Sequence, residues 1–160
     1  MFKSIIQTLY EYNFALDKKV WESILTLPNE QFLLAVDYSR GSLRDQMLHM
    51  TSTYRRWLAG LRGEAPGSHL NSQGFPDASS VYQLWEEISQ DWIKYINKLD
   101  ESAIEKNIPG MPGVRWQVIF HVANHGTDHR AQVLRILHDL GAPTFDQDFI
   151  LYLWDPIRKS

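Results

Sequence analysis

A chain of 160 residues is long enough to bury a core, and we predict a single domain over residues 1–160. Hydrophobic residues make up 44% of the chain and charged residues 22%, a balance that excludes a disordered protein. The net charge is −3 and no run of Lys and Arg is present, which argues against a nucleic-acid partner.

The chain has no cysteine, which excludes disulfides and thiolate metal ligands. Any transition-metal site must therefore use His, Asp, Glu and water. The first residues lack the long apolar stretch of a signal peptide, and no segment approaches the roughly 20 apolar residues that span a bilayer. We expect a soluble cytoplasmic protein with no membrane partner.

Two helices are predicted in the first part of the chain. Apolar residues recur every three or four positions from about Phe2 to Leu25, and Pro28 ends this pattern. The second predicted helix begins at Ser42, a good N-cap, and it ends at Gly63 and Pro66.

A loop rich in Gly, Ser and Pro follows, from Gly63 to Pro76. Asp77 is the predicted cap of a third helix, which runs to about Leu99 with the clearest amphipathic pattern of the chain. The Pro- and Gly-rich stretch at 108–113 interrupts the pattern again, and the short run from Ala103 to Ile108 fits an extended segment.

A fourth helix is predicted from about Val114 to Leu140, with Gly141 at the C′ position and Pro143 beyond it. The apolar run from Phe149 to Trp154 is too apolar for a free end, so we expect this tail to pack back on the helices. Four long helices without competing strand patterns predict an all-α protein, a four-helix bundle with a long loop between its second and third helices.

The fourth predicted helix carries three histidines at intervals of four: His121, His125 and His129. Neighbours in this series are about 6 Å apart along the helix axis, so an adjacent pair can share one metal ion. His121 and His129 are about 12 Å apart and cannot both bind the same ion. Spacing alone leaves open which adjacent pair binds.

A third ligand must come from another element. His49 is the best candidate, because it lies mid-helix beside the apolar stripe of the second predicted helix, whereas His69 falls in a loop and His138 near a helix end. Three histidine ligands would leave open coordination positions, the pattern of a catalytic site. The alternative is that the histidines are partly buried, hydrogen-bonded side chains that bind no metal.

Two residues next to these histidines, Gly126 and Arg130, indicate how the fourth helix packs. Gly126 lies mid-helix, where glycine costs about 1 kcal/mol relative to alanine, and close approach of another helix or a ligand would explain it. Arg130 is typical of a residue that forms a salt bridge.

The segment from His121 to Gln132, His-Val-Ala-Asn-His-Gly-Thr-Asp-His-Arg-Ala-Gln, resembles the helix-four signature of the DinB/YfiT-like family, Asn-His-Gly-x-x-His-Arg-x-Gln. Leu48-His49, the stretch from Trp57 to Leu61 and the ending Leu140-Gly-Ala-Pro143 are also similar, in the same order along the chain. Members of this family, named after damage-inducible genes, are four-helix bundles and often homodimers.

The resemblance implies a metal site with one histidine from helix two and two from helix four. Carried over by position, these ligands are His49, His125 and His129, which leaves His121 as a neighbour of the site. Many relatives have His where this chain has Asp128, so the role of that residue is open. The implied cofactor is a divalent metal ion, zinc or nickel in the first place and iron or manganese as alternatives, since imidazole suits all of these ions.

The family resemblance favours a metal-dependent enzyme, a thiol-dependent S-transferase or a hydrolase, that acts on a small molecule, with a low-molecular-weight thiol as a candidate partner. Asp45, four residues before His49, and Asp128 are the candidate catalytic residues, as proton acceptors or as groups that orient a ligand. The alternative is a non-catalytic, stress-associated metal-binding dimer, because a fold does not fix a chemistry.

Overall fold

The structure is a computed structural model, and it describes residues 1–155. Six α-helices are present in this range: α1 (Phe2–Ile24), α2 (Asn29–Leu33), α3 (Leu43–Arg62), α4 (Ala78–Lys98), α5 (Arg115–Asp139) and α6 (Phe149–Trp154). None of the helices in the described range carries an apolar stretch long enough to cross a lipid bilayer.

The four long helices α1, α3, α4 and α5 form a bundle, as predicted. The helix α1 packs against α4 and α5, and α3 packs against the same two helices. The two helices that carry the candidate metal ligands, α3 and α5, are therefore direct neighbours. Aromatic side chains fill much of the core, where Tyr10 stacks on Trp92 with ring centroids 4.9 Å apart.

Local capping groups set the helix ends where the sequence predicts them. The Ser42 hydroxyl accepts a hydrogen bond from the Asp45 backbone N–H at 3.1 Å, and the Asp77 carboxylate accepts one from the Ser80 N–H at 2.8 Å. Gly63 ends α3 in the left-handed conformation with φ 76°, which a side chain would disfavour.

The prediction of an extended segment from Ala103 to Ile108 is wrong for most of its length. A 3₁₀ turn covers Glu101–Ala103, and only Asn107 pairs as an isolated bridge, with Val114. The Asp100 carboxylate accepts a hydrogen bond from the Ser102 N–H at 2.9 Å, so a local cap favours the turn over an extended chain.

The loop between α3 and α4 runs back along α3 and is hydrogen-bonded to it. The Arg55 guanidinium donates to the Ser68 carbonyl at 2.6 Å, and the Leu70 N–H donates to the Ser52 hydroxyl at 3.3 Å. These contacts fix the part of the loop that contains His69 against the outer face of α3.

The apolar tail packs back on the bundle, as predicted, through one face of α6. The Tyr12 ring lies edge-on to Phe149 and Tyr152, with centroid distances of 4.9 and 5.4 Å. The opposite face is open to solvent, with Ile150 46% and Trp154 69% exposed.

A buried ion pair connects the helices at the centre of the bundle. Arg130 on α5 donates to the Asp17 carboxylate on α1 at 2.5 Å, and both side chains are fully buried. The Tyr54 hydroxyl on α3 donates to the other Asp17 oxygen at 2.8 Å, and Arg130 also donates to the Asn13 carbonyl at 3.1 Å. Burial raises the pKa of Asp17, and the Arg130 charge opposes that shift.

We expect Arg130→Met to lower the free energy of unfolding by about 3–5 kcal/mol, because it leaves the Asp17 carboxylate buried without its partner. Urea unfolding followed by circular dichroism measures this difference. Arg135→Met is the matched control: it removes an exposed pair with Asp139, which water screens, and should change the stability far less. Equal losses in the two variants would contradict the role given to Arg130.

Candidate metal centre

Three histidines from two neighbouring helices meet on one side of the bundle. His49 extends from α3, while His125 and His129 lie one turn apart on α5. Each offers a ring nitrogen, and these nitrogens all lie within 4.8 Å of one another. The closest pair is His49 Nε2 and His125 Nε2, at 3.2 Å.

This donor set fits a divalent transition metal. Two imidazole nitrogens bound to one tetrahedral zinc ion, each at about 2.0–2.1 Å, stand about 3.3 Å apart. The distance of 3.2 Å between the His49 and His125 nitrogens is close to that value, although it also suits a hydrogen bond between two neutral rings. The His129 ring, with its centroid 4.6 Å from that of His49 and 4.3 Å from that of His125, supplies the third nitrogen.

The electrostatics of the group favour neutral imidazoles. Burial lowers the pKa of His49 and of His125 to about 4, and the nearby positive charge of Arg40 adds to both shifts. Burial also lowers the pKa of His129, while the Asp128 carboxylate opposes that shift. At neutral pH all three rings therefore carry the lone pairs that a metal ion requires.

A glutamine orients one of the three rings. His129 Nδ1 lies 3.2 Å from the Gln46 side-chain oxygen, which can only accept, so this nitrogen carries the proton and Nε2 keeps its lone pair. The Gln46 amide donates in turn to Gln132 at 3.3 Å, and the Gln132 amide donates to Asp128 at 3.2 Å. His125 Nδ1, by contrast, is buried and has no hydrogen-bond partner among residues 1–155.

The remaining histidines of the described chain lie outside this group. The exposed His121 ring packs edge-on against Trp57 at 5.2 Å, with its centroid 6.0 Å from that of His125. His69 Nδ1 lies 3.4 Å from the Ser52 hydroxyl, and His138 is exposed near the end of α5. Helical spacing left open whether His121 and His125 or His125 and His129 share an ion, and the fold places the second pair beside His49.

The DinB family model matches residues 1–159. This chain belongs to the DinB family. A comparison with curated proteins finds no match. The expected fold of the family, a helical bundle, is the one observed here.

The two candidate catalytic residues of this DinB protein lie near the histidines without touching them. Asp128 is exposed, and besides its direct electrostatic effect on His129 its carboxylate is connected to that ring by hydrogen bonds through Gln132 and Gln46. The Asp45 carboxylate accepts from the Ser42 hydroxyl at 2.6 Å and contacts Arg44 at 3.6 Å. Their catalytic roles stay predictions.

A cavity of about 470 Å³ adjoins His49 in this DinB protein, and it is large enough for a small molecule. Its wall is mainly polar and consists of Arg40, Asp45, Leu48, His49, Ser52, His69, Leu70 and Ser72. Both the helix α3 and the loop that follows it contribute, so the hydrogen bonds between them also shape this cavity.

Sequence reasoning missed two residues of the site. The Arg40 guanidinium lies 3.2 Å from His49 Nε2, a contact that depends on a turn before α3 and has no sequence signature. Gln46 precedes His49 by three residues, so helical spacing places the two on one face and could have identified it.

Gly126 allows the helices to approach closely beside the site, as predicted. A Cβ atom at this position would lie 2.5 Å from the Tyr54 hydroxyl on α3 and 2.7 Å from the Asn13 side-chain oxygen on α1. Both groups belong to the buried polar network around Arg130, so they cannot move away without losing hydrogen bonds.

We expect Gly126→Ala to destabilise the protein by about 1–3 kcal/mol through overpacking, despite the higher helix propensity of alanine. Chemical denaturation followed by the helical circular dichroism signal gives the value. Gly60→Ala is the matched control on α3, since its new methyl group would meet only the flexible Met111 side chain. A Gly126→Ala protein as stable as the Gly60→Ala protein would refute the packing argument.

Proposed function

We propose that this DinB protein binds one divalent metal ion through His49, His125 and His129. The observation that carries the proposal is the convergence of three imidazole nitrogens within 4.8 Å, two of them at nearly the separation that a tetrahedral ion imposes. Zinc and nickel are the first choices, with iron and manganese as alternatives, because three imidazoles suit each of these ions.

We further propose that the protein is a metal-dependent enzyme that acts on a small molecule, either as a thiol-dependent S-transferase or as a hydrolase. A divalent ion with three protein ligands and open positions lowers the pKa of a bound water or thiol. The cavity beside His49 offers room for such a substrate next to the histidines.

The protein residues around the histidines supply orientation and proton acceptors. Gln46 holds His129 in the tautomer whose Nε2 is free to bind metal. Asp45 lines the cavity and is therefore the better placed of the two aspartates to meet a substrate. Asp128 accepts a hydrogen bond from Gln132, which accepts one from Gln46, the residue that orients His129.

A homodimer, which the family resemblance implies, and a cytoplasmic location are the remaining parts of the proposal. The exposed apolar side chains of α6, such as Ile150 and Trp154, are compatible with contact to a second copy.

We expect the protein expressed in zinc- or nickel-supplemented medium to carry about one metal ion per chain, measured by elemental analysis. His49→Ala, His125→Ala and His129→Ala should each lose most of it, and a chelator should lower the melting temperature of the wild-type protein but not of these three variants. His121→Ala is the control, because this exposed histidine lies one turn from His125 and outside the group. A wild-type protein without metal, and insensitive to chelator, would contradict the proposal.

We expect the metal-loaded protein to turn over at least one substrate in a panel of low-molecular-weight thiols with electrophilic acceptors and of small esters. This turnover should disappear in His125→Ala and persist in His121→Ala, since only His125 belongs to the three-histidine group. Full metal occupancy without turnover on either panel would favour the alternative, a non-catalytic stress-associated metal-binding dimer.

A further inference from the structure

Arg40 places an uncompensated positive charge beside the three histidines. Its guanidinium nitrogen lies 3.2 Å from His49 Nε2, and the ion pairs among residues 1–155 do not include Arg40. The side chain also lines the cavity next to His49. A charged group that is turned towards a cavity and lacks a carboxylate partner is suited to bind an anion from solution.

The turn that carries Arg40 is held in place by the site itself. Ser39 adopts a φ of 52°, in the left-handed region that only glycine occupies without cost, and its hydroxyl donates to the Gln132 side-chain oxygen. The same oxygen accepts from Gln46, which contacts His129. Gly41, with φ 101°, closes the turn through a hydrogen bond from its N–H to the Tyr38 carbonyl. The turn that carries Arg40 is therefore hydrogen-bonded to Gln132, which also accepts from the glutamine that orients His129.

The other charged residue of the cavity, Asp45, contacts side chains other than Arg40. The Asp45 carboxylate accepts from Ser42 and contacts Arg44, and it forms no ion pair with Arg40. The hydroxyl of Ser52 and the ring of His69 add polar groups to the wall.

We propose that Arg40 binds the carboxylate of an acidic small-molecule substrate in the cavity beside His49, which makes Arg40 a specificity-determining residue. This inference rests on the proposed metal site. A metal ion bound to His49 Nε2 takes the lone pair that Arg40 now contacts, which leaves the exposed Arg40 guanidinium free to bind another acceptor. A guanidinium presents two parallel N–H donors that match a planar carboxylate. A carboxylate between the metal ion and the Arg40 guanidinium also reduces the repulsion between these two positive charges.

The test is titration of the cobalt-loaded protein with butyrate and with butyramide, which has nearly the same shape without the charge. The absorption of the cobalt ion and isothermal titration calorimetry report binding without any turnover. We expect butyrate to bind at least ten times more tightly than butyramide. Arg40→Gln should weaken butyrate binding at least tenfold, because Arg40 binds the carboxylate. It should leave the metal content unchanged, because Arg40 is not a ligand of the metal ion.

Arg62→Gln is the control, because it removes the same charge at the far end of α3, about 20 Å along the helix from His49, where Arg62 pairs with Asp91. Its butyrate affinity should equal that of the wild-type protein. An Arg40→Gln protein within threefold of the wild type would overturn the inference, and so would tighter binding of inorganic phosphate than of butyrate. A protein that takes up no cobalt would contradict the proposed metal site as well.

Discussion

The ion pair between Arg130 and Asp17 is the constraint on which the geometry of the bundle depends. Two fully buried charges are tolerated only when both are paired and hydrogen-bonded, and Arg130 meets this condition through Asp17, Asn13, Thr127 and Gln147. These contacts come from α1, from α5 itself and from the chain before α6. Since few arrangements satisfy them all, the rotation of α5 about its own axis is fixed.

That rotation decides where the histidines lie. Arg130 directly follows His129, so turning Arg130 towards α1 leaves the adjacent face of α5, with His125 and His129, towards α3. Gly126 completes the arrangement, because the absence of a side chain there lets Tyr54 and Asn13 reach the buried network. Stability and site geometry are thus coupled through one polar cluster, and a change in the cluster should disturb both.

The sequence was most informative where the signals are local. Helix periodicity and the caps at Ser42 and Asp77 predicted the long helices, whereas the short run at 103–108 has too few residues to distinguish a turn from a strand. Spacing on one helix could not choose between His121 and His129, because the choice depends on the position of His49 on another helix. The family motif supplied that choice. Arg40 escaped prediction because its contact depends on an irregular turn. Three imidazoles do not identify the metal, whichever way the sequence is interpreted.

The charge balance of the site limits the ligands it can take. The lowered pKa values of the three histidines favour neutral rings, the carboxylates of Asp45 and Asp128 are hydrogen-bonded to other side chains, and Arg40 adds a positive charge. An ion bound here would keep its full charge, whereas a carboxylate ligand would cancel part of it. Such a centre favours anions in its open positions, whether hydroxide, thiolate or the group bound by Arg40. Selectivity among them must then come from the cavity, whose wall is formed by Arg40 before α3, by α3 and by the loop hydrogen-bonded to it.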